Sequence, residues 1–271
     1  MHGVSRDIPR DRAVMDRFCR AAAAGVSERA DQHSLLRSAL LHLLPATLIL
    51  TFYVVSAPRI ISLGFPPGLA LLVGFLVVGM PLQLGYLLYQ GKKRNGTISL
   101  RGIVLYREPM AIRQYVALFL LLFVVAFGLL FLLSPVTRML AERLFGWLPG
   151  YMLPDGESLY PGPARTAVVV VLIMGLVVDG VMNPIVEELY FRGYLLPRIS
   201  RLRWLSPLAN ASLFTLAHFW QPYNYPLIFL IQLLVVSVVY WKRNIYIAML
   251  AHCAGNTVGA VLSLASFLGS S

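Results

Sequence analysis

Charge is scarce in this chain. Of its 271 residues, 13% are Asp, Glu, Lys or Arg and 58% are hydrophobic, whereas an ordinary soluble domain carries about 25% charged residues. A soluble core does not account for so much apolar sequence. Cysteine is nearly absent, with Cys19 in a polar stretch and Cys253 in an apolar run. No disulfide is expected between them, and neither has CxxC spacing. Acids are few, 12 against 23 Lys and Arg, which leaves a net charge of +11 and a pI near 10. In a soluble protein that balance would suggest nucleic acid. Here the cations sit in short connections between apolar runs. They are read as orientation signals and as contacts to anionic lipid headgroups, and no nucleic-acid partner is expected. Residues 1–34 lack the apolar core of a signal peptide.

What the chain does have is a series of long apolar runs. About 20 such residues cross a hydrocarbon layer about 30 Å thick. Runs at 36–56, 68–89, 115–134, 166–196, 206–220, 226–241 and 245–268 are read as helices. The fold class is therefore all-α, a polytopic transmembrane bundle of seven helices, or eight if the 166–196 run breaks at Pro184. Four segments follow. Residues 1–34 form a polar tail, disordered or partly helical. Residues 35–134 hold three transmembrane helices, and 135–165 form a polar connection with Pro149, Pro154, Pro161 and Pro163. Residues 166–271 form a C-terminal helical core. Within the connection, Met139–Phe145 is expected as a short interfacial helix. Ser206 and Asn244 are expected to cap the helices that follow them.

Cations assign the sides of the membrane. Seven precede or include Arg37, six lie between Lys92 and Arg113, and Arg198, Arg201, Arg203, Lys242 and Arg243 follow. Those eighteen fall on one side if residues 166–196 make a single net crossing. Arg59, Arg138, Arg143 and Arg165 fall on the other. The N-terminus is expected in the cytoplasm, and the protein in a prokaryotic inner membrane.

An ionisable group inside a bilayer costs about 2.5 kcal/mol or more, so each is a functional candidate by default. After residue 178 these are Asp179, Glu187, Glu188, Arg192, His218 and His252, with Asn183 and Asn256 beside them. The earlier spans offer only His42 and Gln83, read as helix-packing residues. Glu188 and Arg192 are four apart and share a helix face, as an ion pair requires. Glu187 lies about 100° around from Glu188, in a stripe with Asn183 and Asp179, and is the freer carboxylate. His252 with Asn256, and Phe214 with His218, are also four apart. At 1.5 Å per residue, Glu187, His218 and His252 lie roughly 15, 18 and 12 Å from the nearest Arg-rich helix ends. Three separate helices thus carry polar groups to a similar depth. Cys253 is read as a small buried filler, and Asp179 as either cavity lining or a helix contact.

Three stretches carry a resemblance. Glu187-Glu188-Leu189-Tyr190-Phe191-Arg192 fits EExxxR, Phe214-Thr215-Leu216-Ala217-His218 fits FxxxH, and His252-Cys253-Ala254-Gly255-Asn256 fits HxxxN. In this order, on separate apolar helices, they resemble the CPBP family of CAAX-protease and bacteriocin-processing intramembrane peptidases. The resemblance covers residues 166–268. It implies a glutamic-type endopeptidase without metal or other cofactor. Glu187 and His218 would activate a water, and His252 and Asn256 would stabilise the oxyanion. Glu188, Arg192 and Phe214 would support them. The implied partners are membrane lipids and a peptide or lipidated protein cut near its C-terminus or leader; no oligomeric state is assigned. Two other readings of the residues stand beside this one. Glu187, His218 and His252 could hold zinc as a His₂Glu set. Alternatively, the polar cluster could be a relay in a non-catalytic transporter or scaffold.

Overall fold

The computed structural model describes residues 31–154 and 164–269. The readings of the 1–30 tail, Cys19, Pro161 and Pro163 fall outside them. Among the described residues there are seven long helices and no strand. These are α1 (Leu35–Ser62), α2 (Gly68–Asn95), α3 (Ile112–Arg143), α4 (Arg165–Leu202), α5 (Leu205–Leu216), α6 (Tyr225–Lys242) and α7 (Tyr246–Gly269). Six of them, all but α5, are long and apolar enough to cross a membrane. Phe131 and Leu132 on α3 are 85% and 68% exposed, and only Leu122 and Ala141 of that helix are buried. Such a surface needs lipid to cover it.

The central element is α4. It packs against α2, α5 and α7, while α1 pairs with α2, and α6 with α3 and α5. From Val186 to Ser200 every residue but Leu189 is buried, the mark of a helix enclosed on all sides. The helix continues through Pro184, so the eighth helix does not form. Pro184 lacks an N–H, which frees a carbonyl one turn back. The preceding Val178–Met182 turn is π-helical, which widens the ladder there. Side chains of α7 take up the freed oxygens: Asn256 Nδ2 donates to Asp179 O at 3.0 Å and Thr257 Oγ1 to Gly180 O at 3.3 Å. Cys253, expected to be buried, is half-exposed and sets its Sγ 3.8 Å from Val181 O.

The same device recurs at other prolines. Pro45 of α1 frees Leu41 O, which accepts from Tyr190 Oη at 2.9 Å. Pro135 of α3 frees Phe131 O, which accepts from Ser134 Oγ at 3.0 Å. With that oxygen satisfied, α3 runs on to Arg143. Residues 139–143 are thus its last turn, and the separate Met139–Phe145 interfacial helix does not form. At the start of α5 the expected Ser206 cap is absent. The helix begins one residue earlier, and Ser206 Oγ donates instead to Ile199 O at 3.0 Å. Asn244 does cap α7, accepting from Ile247 N at 3.2 Å.

Two connections lie against α4. Residues 100–106 pack on its second π-helical stretch, Glu188–Leu195, where Leu105 N donates to Gly193 O at 2.8 Å. The chain before α1 is fastened just beyond this stretch, at the C-terminal end of α4. His33 N donates to Arg198 O at 2.8 Å, and Gln32 Nε2 to Pro197 O at 3.1 Å. His33 itself is buried.

Two tests follow from this packing. A Cβ on Gly91 would stand 1.9 Å from the backbone oxygen of Ser99, whereas one on Gly85 would meet nothing within 4 Å. Gly91→Ala is therefore expected to cost about 1–3 kcal/mol and Gly85→Ala to be neutral or mildly stabilising, as read by thermal unfolding in detergent. Second, burial, aided by Arg37 and Arg198, lowers the His33 pKa from the usual 6.5 to about 4. The released segment then binds protons more readily than the docked one. The docking contribution is complete above pH 6.5 and is lost as pH falls toward 4. Exchange of the His33 amide, corrected for its intrinsic rate, should accelerate at pH 5 relative to pH 7.

Candidate active site

The EExxxR stretch straddles a change of helix type. Asn183–Glu187 is a single α turn, and Glu188–Leu195 is π-helical. The two adjacent carboxylates face different neighbours. Glu187 is buried and accepts from Asn183 Nδ2 at 3.1 Å, the contact its i+4 spacing predicts. Glu188 is fully buried and meets Arg192 across 3.3 Å between Oε2 and Nε.

Glu188 also reaches a second partner. Its Oε1 lies 3.0 Å from His252 Nδ1. One carboxylate therefore ties Arg192, on its own helix, to His252 on α7. Arg192 is held from two further sides: Gln232 Oε1 of α6 accepts from its Nη2, and its guanidinium carbon sits 3.9 Å from the centroid of the Phe214 ring. Desolvating a cation is costly unless several groups surround it; here an acid, an amide and an aromatic face do so. Sequence reading did not find Gln232. It carries no charge and sits in an apolar run, so a search for ionisable groups passes over it.

His218 follows the end of α5 and does not lie within a helix running to Trp220. Its Nδ1 is 2.8 Å from Phe214 O, and its ring centroid is 4.7 Å from that of Phe214 and 5.0 Å from that of Trp220. A carbonyl only accepts, so Nδ1 carries the proton and Nε2 offers a lone pair. With 12 residues, α5 rises about 18 Å, short of a bilayer core. Irregular backbone at such depth is tolerated where it borders a cavity, and a cavity is what the turn borders. Glu187, His218 and Gln83 line it, with Phe191, Phe214 and Trp220 among its apolar walls. About 10 Å³ of it can hold the centre of a water molecule, which is room for one water.

Asn256 and His252 share the face of α7 turned toward α4. Asn256 has one amide hydrogen committed to Asp179 O, and the other remains to donate. His42 behaves as a packing residue: its Nδ1 is 2.7 Å from Ser38 O, and its Nε2 is 3.1 Å from Asn210 Nδ2. Among the described residues no three His, Cys, Asp or Glu side chains are placed to hold a metal, so Glu187, His218 and His252 are not gathered as a zinc set.

The buried pair gives a stability test. Arg192→Met strips Glu188 of its cation and should destabilise by about 3–5 kcal/mol. Gln232→Leu removes one neutral partner and should cost about 1–3 kcal/mol. Urea unfolding in detergent orders the two variants, and the reverse order would contradict the geometry.

No curated protein and no solved structure matches the chain. A family model does: residues 169–258, the stretch that contains all three motifs, match that of the type II CAAX prenyl endopeptidase Rce1-like proteins, in agreement with the CPBP resemblance.

Proposed function

We propose that the chain is a glutamic-type intramembrane endopeptidase that cuts a membrane-associated protein or peptide near its C-terminus or leader. The observation that carries this reading is the small cavity shared by Glu187 of α4 and His218 beyond α5. A water there can donate one proton to the carboxylate and the other hydrogen bond to His218 Nε2. Its oxygen is then free to attack a peptide carbonyl, with Glu187 accepting the proton. Asn183 holds one oxygen of Glu187 and leaves the other for that task. Phe214 O fixes the His218 ring in the tautomer the step requires.

The tetrahedral oxyanion is met from α7. Asn256 donates its second amide hydrogen, and His252, held through Nδ1 by Glu188, donates through Nε2 when that nitrogen is protonated. Each well-placed donor of this kind lowers the barrier by about 3–4 kcal/mol. Collapse of the intermediate breaks the C–N bond, and the leaving amine takes the proton from Glu187. Glu188 and Arg192 do no chemistry; they fix α4 against α6 and α7. In this reading the N-terminus lies on the cytoplasmic side of a prokaryotic inner membrane, with eighteen of the 23 Lys and Arg. Lipids and a peptide or lipidated protein are its partners.

Glu187→Ala should abolish cleavage while folding and membrane level hold. The readout is a comparison of membrane peptides from wild-type and Glu187→Ala cells. Cleavage should persist in strong chelator. An identical peptide set in the two strains overturns the protease reading, and loss of cleavage on chelation overturns its metal-free form.

A further inference from the structure

Helix α2 lies outside the stretch that matches the family model, yet one of its side chains reaches the cavity. Gln83 is 3% exposed, lines the same space as Glu187 and His218, and leaves its Oε1 buried with no hydrogen-bond partner among the described residues. A buried polar atom left unpaired costs about 1–3 kcal/mol, and apolar helix packing does not call for one.

Helix α2 carries Gln83 on its buried face. Leu72, Phe75, Gly79, Gln83, Leu87 and Gly91 follow one another at three- or four-residue spacing and are all buried, the period of one helix face. On that face α1 comes close: a Cβ on Gly79 would lie 2.9 Å from Ile49 Cδ1, and Ile49 also lines the cavity.

We infer that Gln83 is a positioning residue for the nucleophilic water, an inference that rests on the protease reading above. A water that gives its two protons to Glu187 and His218 keeps two lone pairs. One must face the substrate carbonyl. The other needs a donor, or the molecule can rotate about its two anchors. An amide supplies that donor by turning about its last torsion, which exchanges its oxygen and nitrogen at nearly the same positions. Glu187, His218 and Gln83 then leave the water only one free direction, that of attack.

The test uses full-length protein in proteoliposomes and a synthetic peptide spanning a site whose cleavage in cells depends on Glu187. Gln83→Met keeps the volume and removes the amide. It should lower kcat roughly tenfold or more while KM and the unfolding temperature hold. Gln83→Glu should keep more turnover than Gln83→Met and move the pH–rate profile, because a second titrating group then touches the water. If Gln83→Met turns over like wild type while Glu187→Ala is inactive, this inference fails and the protease reading stands. If no peptide depends on Glu187, both fail. Loss of folded protein in both Gln83 variants, or an unmoved profile in Gln83→Glu, assigns the residue to packing and overturns the inference.

Discussion

The structure depends on satisfying the backbone of α4. In hydrocarbon no water is available to an unpaired carbonyl, so each needs a partner within the protein. Helix α4 has two prolines, Pro184 and Pro197, and two π-helical stretches, and neighbours take up the oxygens these release. Asn256 and Thr257 bond to Asp179 O and Gly180 O, Asn210 to Phe191 O, and Leu105 N to Gly193 O. These partners come from α7, α5 and the 100–106 connection. Several of the polar bonds that join the bundle are thus the repair of its central helix. The candidate site lies among these bonds, where Glu187 and Glu188, about 100° apart around the helix, face different neighbours.

How much of this the sequence disclosed depends on how far apart the partners lie. Glu188 with Arg192 and Asn183 with Glu187 were legible because one helical turn separates them and helical geometry is fixed. The contact between Glu188 and His252 spans 64 residues, and spacing says nothing about it. Helix interiors were legible from apolar length, as were both ends of α6 and the Asn244 cap of α7; other ends were not. Pro135 looks like a stop signal, but Ser134 satisfies the oxygen it frees. Ser206 looks like a cap, but its hydroxyl is drawn to Ile199. In each case a local rule gave way to a nearby partner that the rule does not consider.

The amides Gln83 and Gln232 show a different blind spot. Gln232, uncharged in an apolar run, escapes a search built on ionisable groups, and Gln83 is visible to it but reads as helix packing. Yet Gln232 accepts from the buried guanidinium and Gln83 borders the cavity. Burial makes an amide worth almost as much as a charge, since it too must find a partner. Depth gave a better lead: Glu187, His218 and His252 were read at similar levels, and Glu187 and His218 do line one space. His252 joins the group indirectly, through Glu188, so the two adjacent carboxylates are connected to different histidines.

The short helix α5 has a further consequence. Because α5 ends at Leu216, a turn with Ala217, His218 and Trp220, not a full-length helix, walls the cavity on that side. For the protease proposed above, a peptide bond inside a regular transmembrane helix would reach that turn wrapped in its own hydrogen bonds and side chains. The truncated helix would then select cargo by the looseness of its backbone before any side chain is read.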